Sequence, residues 1–117
     1  GRGAVQEVIG KGALDKLIDD LQLSREVKMM DEVLLRISQG GAVAYGRKEV
    51  KEAIVLGAVD QVLLADTLLR DAEVMDLVSK AEAMRATIIV LSSAFEPGER
   101  LVALGGIAAL LRYRIVT

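Results

Sequence analysis

The chain has 117 residues, 52% of them hydrophobic, which is enough for one domain with a single aliphatic core. Its 15 basic and 17 acidic residues give a formal net charge of −2, so no bulk positive field attracts nucleic acid. Cysteine and histidine are absent, which excludes disulfide scaffolds, thiolate metal sites and imidazole catalysis. The longest apolar run, residues 101–111, is shorter than the roughly 20 residues of a membrane span. We therefore expect a cytoplasmic protein without a membrane segment.

The beginning of the chain predicts a helical lead-in. Apolar residues recur at helical spacing over residues 5–21, which indicates two short helices joined at Gly10 and Gly12. The charged residues on the other face of the second helix predict a solvated surface. They are Asp15, Lys16, Asp19 and Asp20. The chain lacks an initiator methionine and an apolar leader, so we expect a piece of a longer protein, with residues 1–22 leading from a preceding domain into an α/β domain over residues 23–117.

A longer helix is predicted over residues 24–38. Ser24 is a suitable N-cap, and Gly40 with Gly41 can end the helix in a left-handed conformation. The apolar stripe of this helix consists of Val27, Met30, Leu34 and Ile37.

Strands alternate with helices after residue 41. Residues 42–45 predict a short strand that leads into a helix ending at Gly57. The residues that would face inward on this helix are Val50, Ala53 and Ile54. Residues 62–65 predict a buried strand, and Asp71 is a candidate N-cap for a helix whose apolar residues lie three and four apart.

The last quarter of the chain continues the alternation. Residues 88–91 form an unbroken apolar run, which predicts a central strand covered on both faces. Pro97 suits the first position of a helix, and Gly105 with Gly106 can end that helix. Residues 107–115 predict a final strand, apolar at first and alternating later. The pattern as a whole predicts a three-layer α-β-α sandwich with a mixed sheet of about four strands.

No catalytic constellation is visible in the sequence. Ser92 and Ser93 stand between a strand and a helix, but the glycines of a nucleophile elbow and any activating histidine are missing, so they are interpreted as turn residues. Glu96 and Glu99 could hold a cation, yet the helix dipole and an ion pair with Arg100 explain them more simply. We expect no catalysis and no cofactor in this domain.

Two segments carry a family resemblance. LSSAFEPGERL at residues 91–101 and LGGIAALLRY at residues 104–113 resemble the C-terminal domain of the archaeal Pelota family, which is related to the class-I peptide release factors. The resemblance extends upstream to AYGRKEVKEA at residues 44–53 and to residues 57–59 and 63–66. It implies the fold shared by release-factor C-terminal domains and kink-turn-binding ribosomal proteins, in agreement with the predicted elements.

The resemblance also implies partners. In that family the C-terminal domain docks a translational GTPase of the elongation-factor-1-alpha type and the ribosome-splitting ABC-E ATPase, during no-go decay and the recycling of stalled ribosomes. Full-length members are credited with a divalent-metal-dependent endonuclease activity that was ascribed to the N-terminal domain. A divalent cation would therefore concern the full-length protein and not this domain.

Two turns that begin helices are the predicted partner contacts. Polar turns on a rigid sandwich, with the amphipathic ring of a tyrosine, suit a docking surface. The predicted contact residues are Tyr45, Arg47 and Lys48 in one turn and Glu96, Gly98, Glu99 and Arg100 in the other. The alternative, in which these residues are caps and solvated charges and the partner binds elsewhere, remains open.

Two other functions remain open as alternatives. The chain could be the C-terminal domain of an archaeal release factor, although the short segment 68–90 and the lack of cysteine favour the Pelota branch. It could also be an RNA-binding module of the kink-turn type. Arg47 and Lys48 replace the small polar residues that make the specific contacts in that family, so direct RNA binding is disfavoured.

Overall fold

A computed structural model describes residues 2–115, apart from the side chains of residues 2–9 and 11. The elements in chain order are α1 (Arg2–Gln39), β1 (Val43–Tyr45), α2 (Arg47–Val55), β2 (Val59–Ala65), a short 3-10 helix (Asp66–Leu68), α3 (Ala72–Ala83), β3 (Thr87–Leu91), α4 (Glu96–Ala103) and β4 (Ile107–Leu111). The four strands form one mixed sheet with the order β1-β4-β2-β3. The predicted α/β class and four-stranded sheet are confirmed.

Helices cover both faces of the sheet. On one face α2 and α3 pack against β2 and β4 through a cluster of buried residues that includes Val50, Ala53, Ile54, Val74, Leu77, Val78 and Ala81. On the other face α1 and α4 pack through a second cluster that includes Met30, Val33, Leu63, Leu91 and Leu101. The inward positions predicted on α2 are confirmed, and α3 buries residues three and four apart as its spacing predicts, because such a helix can bury only one side.

The strand order corrects the prediction for residues 88–91. β3 pairs in parallel with β2 and is an edge strand, whereas β4 lies between β1 and β2 and is antiparallel to both. Ile88 packs into one core cluster and Ile89 into the other, but Val90 remains 42% exposed. The run is apolar because both faces of β3 are partly covered. An apolar run indicates that both faces of a strand are covered, but it does not indicate how many neighbouring strands pair with that strand.

Helix α1 also differs from the prediction. Gly10 interrupts it with φ 68° and ψ 167°, but the helix then continues through Gly12 and Ser24 to Gln39. Ser24 is therefore an interior residue and not an N-cap, because extending an existing helix is easier than ending it and nucleating a new one. Val27 is exposed, and Val33 takes its place in the buried stripe. The side chains of the predicted first segment, residues 5–9, lie outside the described ones.

The last strand is shorter than predicted. β4 ends at Leu111, where its pairings with Val59 of β2 and, one residue earlier, with Val43 of β1 also end. The residues that follow have no strand to pair with, and Arg112 instead donates its backbone N–H to the carbonyl of Ala58. The predicted extension of β4 over residues 112–115 is therefore wrong, and residues 116 and 117 lie outside the described part.

The direction of α1 determines how it meets the sheet. Near its C-terminal end, Nη1 of Arg36 donates to the carbonyls of Ala42 at 3.0 Å and Leu111 at 3.2 Å, where β1 begins and β4 ends. Glu26 lies at the opposite end of the sheet, beside Ser92 after β3. The part of α1 that precedes Glu26 therefore extends beyond that end of the sheet. The expected domain division after residue 22 falls inside this helix.

Candidate functional site

Both predicted contact turns lie at the same end of the sheet. β2 and β3 are parallel and end there, while β4, antiparallel to β2, begins there and places the end of β1 beside them. We call this end the rim and define it as residues 45–48, 65–71, 92–99 and 104–106. Because β1 and β3 are the outer strands, the two turns are separated by three strand spacings, or about 14 Å. The carboxyl ends of parallel strands are a common location for binding sites in α/β folds.

The turn between β1 and α2 is held from several sides. Gly46 adopts φ 84° and donates its N–H to the carbonyl of Ile107 at 2.9 Å. The N–H of Tyr45 donates to Oε2 of Glu49 at 3.4 Å, and the Tyr45 side chain is exposed. Lys48 is exposed and makes no ion pair with the described residues. Tyr45 and Lys48 therefore present their side chains to solvent.

Arg47 has an internal role in this turn. Its Nη2 lies 2.7 Å from Oδ2 of Asp71, and its Nη1 lies 3.9 Å from Oε2 of Glu73. Asp71 also caps α3 as predicted, because its Oδ1 accepts the N–H of Val74 at 3.1 Å. The hydrogen bond from Val74 and then the Arg47 guanidinium lower the pKa of Asp71 below its ordinary value. Arg47 thus connects α2 to the capped end of α3.

The turn between β3 and α4 begins a helix at the predicted place. Pro97 occupies the first turn of α4, and Nη2 of Arg100 lies 2.8 Å from Oε1 of Glu96, which confirms the predicted ion pair. Glu96, Glu99 and Arg100 are exposed. Gly98 is buried, and a Cβ at this position would lie 1.9 Å from the carbonyl oxygen of Ser92. Gly98 therefore allows α4 to pack against the preceding loop and offers no side chain to a partner.

Ser92 and Ser93 hold the loop before α4. The N–H of Ser93 donates to Oδ1 of Asp66 at 3.1 Å, and the N–H of Ala94 donates to Oγ of Ser92 at 3.2 Å. Hydrogen bonds from the hydroxyl and the backbone N–H of Ser93 lower the pKa of Asp66 below its ordinary value. Asp66 therefore connects the end of β2 to the loop after β3, and the interpretation of the two serines as turn residues agrees with these bonds.

A cavity that the sequence does not predict opens where α1 passes the rim. It has a volume of about 370 Å³ and is lined by Asp19, Gln22, Leu23, Glu26, Asp66, Val90, Ser92 and Phe95. Glu26 is only 7% exposed, and burial, together with the charge of Asp66, raises the pKa of its carboxyl above the ordinary value. One feature of the sequence could have indicated that Glu26 is buried. Glu26 stands four residues before Met30 and seven before Val33, so it lies on the buried side of α1.

A second concavity runs along the outer edge of β1. It measures about 830 Å³ and is lined by Val43, Ala44, Lys48, Glu49, Lys51, Glu52, Val55, Leu56 and Ile115. Lys48 is the predicted contact residue that borders it. The other predicted contacts do not line either concavity.

The fold and the rim together define a release-factor-like α/β domain. A family model described as eRF1 domain 3 matches residues 23–115 of the chain. The chain belongs to this family, and within the family it belongs to the Pelota branch. The predicted resemblance is therefore confirmed, and it favours Pelota over the release-factor alternative.

Several known proteins show this similarity. The chain is 70% identical over 115 residues to the Protein pelota homolog of Methanoregula boonei, covering 98% of this chain and 34% of that protein. It thus spans about a third of the length of this relative. The crystal structure of Archaeoglobus fulgidus Pelota superposes with a TM-score of 0.88 at 36% identity, over 95% of this chain and 36% of that one.

Two further solved structures are described with binding partners. A model of ribosome-bound archaeal Pelota and ABCE1 gives a TM-score of 0.77 at 41% identity, covering 99% of this chain and 34% of that one. The second structure is Dom34 of S. cerevisiae, which is described as a translation termination-like factor involved in RNA quality control pathways and interacting with Hbs1. It superposes with a TM-score of 0.79 at 30% identity, covering 98% of this chain and 34% of that one. In the described part of our chain, no helix combines the length and the apolar character that crossing a membrane requires.

Proposed function

We propose that this chain is the protein-interaction domain of a cytoplasmic ribosome-rescue factor. It docks a translational GTPase of the elongation-factor-1-alpha type and the ribosome-splitting ABC-E ATPase during no-go decay and the recycling of stalled ribosomes. The observation that supports this most strongly is the 41% identity, over 99% of the chain, to an archaeal Pelota described as ribosome-bound together with ABCE1. In this proposal residues 23–117 form the docking domain and residues 1–22 lead into it from a preceding domain.

The geometry of the rim supports binding rather than catalysis. Its polar groups are used internally, since Asp71 caps α3 and pairs with Arg47 while Asp66 holds the loop at Ser93. The chain contains no histidine or cysteine to activate a hydroxyl such as that of Ser92. We therefore propose that this domain contributes neither catalysis nor a cofactor, and that any divalent cation serves other parts of a full-length protein.

Exposure separates the seven predicted contact residues into two groups. Five present side chains to solvent and are the proposed contacts: Tyr45, Lys48, Glu96, Glu99 and Arg100. Gly98 is buried and has no side chain, whereas the Arg47 side chain is 40% exposed but its guanidinium is engaged by Asp71 and Glu73. With the charge of Arg47 engaged by Asp71 and Glu73, Lys48 is left as the unpaired cation of the first turn, which argues against direct RNA binding there.

Charge reversal at Arg100 tests the proposed interface. Arg100→Glu places a negative charge on the exposed side of α4, and we expect about tenfold weaker binding to a purified archaeal GTPase of this type, measured by calorimetry. The matched control is Lys80→Glu on α3, because Lys80 is also exposed and also pairs with a carboxylate four residues earlier, Asp76, at 3.0 Å. Unchanged affinity of a folded Arg100→Glu variant would remove this turn from the interface. Failure of the wild-type chain to bind the GTPase, the ABC-E ATPase and the ribosome would refute the function as a whole.

A further inference from the structure

The cavity between α1 and the rim has the form of a receptor site. We call it the acidic corner and define it by the eight lining residues given above. On α1, Asp19, Gln22, Leu23 and Glu26 are spaced so that they share one face of the helix. This face extends past the end of the sheet and forms one wall, while the ends of β2 and β3 form the other. The volume of about 370 Å³ is within the range of known ligand sites, roughly 300–1,000 Å³.

The carboxylate of Glu26 has no cationic partner among the described residues. The residue as a whole is 7% exposed, and it lines the cavity. None of the described lysines and arginines forms an ion pair with it, and a backbone hydrogen bond from Ser92 lowers its pKa less than burial raises it. Carboxylates are rarely buried unless they are paired. A carboxylate that is buried at the wall of an open cavity is therefore placed for a cation that enters from outside.

The charges around Glu26 strengthen this requirement. Asp66 faces the same cavity and repels Glu26, and Asp19 adds a third carboxylate at the mouth. None of the lysines or arginines whose side chains the structure describes lines the cavity. Among the described residues no group of three or more carboxylate, imidazole or thiol ligands is arranged to hold a metal ion. The cavity therefore presents negative charge without a cluster of metal ligands among the described residues.

The remaining walls are apolar. Phe95 is 49% exposed and Val90 is 42% exposed, and both line the cavity with Leu23. An aromatic face beside carboxylates suits a guanidinium, which is planar, weakly hydrated and able to stack on a ring while it donates a pair of hydrogen bonds to a carboxylate. An ammonium is more strongly hydrated and makes no planar stack, so it fits this site less well.

We propose that the acidic corner receives an arginine side chain from a protein partner. The guanidinium donates to Glu26, its charge is balanced by Asp66 and Asp19, and its aliphatic stem lies against Phe95 and Val90. This inference deepens the interaction role proposed above, and it places a partner contact on a surface that Tyr45, Lys48 and the exposed residues of α4 do not line. It names the chemistry of the contact and leaves the proposed GTPase and ATPase as the proteins that could supply the arginine.

A direct probe separates this inference from the proposed function. The peptide N-acetyl-Gly-Arg-Gly-amide is titrated into the 15N-labelled chain to about 20 mM, and backbone amide shifts are followed by NMR. We expect saturable shifts at Ser92, Ser93 and Phe95 with a dissociation constant of a few millimolar, and at least about threefold weaker binding of the matching lysine peptide. The probe contains no GTPase or ATPase, so its result does not depend on whether those proteins bind.

Two variants of equal charge change complete the test. Glu26→Gln keeps the size of the side chain and is expected to weaken binding of the arginine peptide about tenfold. Asp20→Asn lies on the same helix and is exposed outside the corner, so it should leave the affinity unchanged. The proposal fails if the wild-type chain shows no saturable shifts at the corner, if the two variants have equal effects, or if the lysine peptide binds as well. Stronger shifts of the same amides with magnesium chloride would overturn it in favour of a metal site.

Discussion

Arg47 and Asp71 join the two helices on one face of the sheet through a contact of 2.7 Å between Nη2 and Oδ2. The same carboxylate caps α3 by accepting the N–H of Val74 with its other oxygen. One aspartate therefore serves both as the cap of α3 and as the anchor of the turn that begins α2. A substitution at either residue should destabilise the structure of the rim, even though neither side chain belongs to the core.

Removal of the Arg47 charge should lower stability without abolishing partner binding. We expect Arg47→Gln to lower the thermal unfolding midpoint by a few degrees, and Asp71→Ala to lower it further, because the aspartate also caps α3. The double variant should lose less than the sum of the two single changes. Circular dichroism measures the midpoints, and Arg70→Gln serves as the control, since Arg70 is exposed and makes no ion pair with the described residues. Additive losses would show that the contact does not couple the two helices.

Substitution of Gly98 should strongly destabilise the domain. The Cβ of Gly98→Ala would lie 1.9 Å from the carbonyl oxygen of Ser92, so α4 or the loop before it has to move. We expect a loss of about 3 kcal/mol or more in the free energy of unfolding, measured by chemical denaturation. In the control Gly12→Ala, nothing lies within 4 Å of the new Cβ, and the exposed helical position should gain roughly 0.5–1 kcal/mol. Equal stability of the two variants would mean that α4 is not held against Ser92.

The edge position of β3 predicts an asymmetry between two residues that pair in register. Leu64 on β2 is 1% exposed, whereas its partner Val90 on β3 is 42% exposed. We expect Leu64→Ala to cost about 3 kcal/mol of unfolding free energy and Val90→Ala less than about 1 kcal/mol. The same denaturation experiment compares them. A cost at Val90 as large as that at Leu64 would indicate that another surface covers β3 in solution.

The acidic corner should influence how stability depends on pH. Burial raises the pKa of Glu26 above its ordinary value of 4.5, so the folded chain binds this proton more tightly than the unfolded chain does. The contribution of Glu26 to stability is therefore fully present below 4.5 and is lost as the pH rises through the raised pKa. We expect Glu26→Gln to be more stable than the wild type at pH 7, with the difference shrinking as the pH falls through the raised pKa of Glu26 and levelling off below 4.5.

Asp66 should behave in the opposite way, which makes it the natural comparison. Hydrogen bonds from Ser93 lower its pKa below the ordinary value of 3.8, so its contribution is present above 3.8 and is lost as the pH falls through the lowered pKa. Asp66→Asn should therefore lose stability at pH 7, while Glu26→Gln gains it. Thermal unfolding midpoints of both variants and the wild type, measured from pH 3 to pH 7, test these two expectations. A Glu26→Gln variant that is less stable at neutral pH would show that the carboxylate already has a partner within the fold.

Local sequence patterns determined most of the elements of this domain. The spacing of Val50, Ala53 and Ile54 marks the buried side of α2, Asp71 marks the start of α3 and Pro97 marks the start of α4, and each is where the structure has it. These signals succeed because capping and helical periodicity act over a few neighbouring residues. The motifs at residues 91–101 and 104–113 likewise indicated the family from the sequence.

Only the tertiary structure decided which elements are neighbours. The apolar pattern of residues 88–91 predicts a central strand, yet the pairing of β4 between β1 and β2 leaves β3 at the edge. The acidic corner could not be predicted from the sequence for the same reason. Glu26 and Asp66 belong to different elements and come together only where α1 passes the end of β2. Periodicity records which side of a helix or strand is covered. The partner that covers it depends on long-range packing, and that packing places Glu26, which has no ion-pair partner among the described residues, in the same cavity as Phe95 at the end of the sheet.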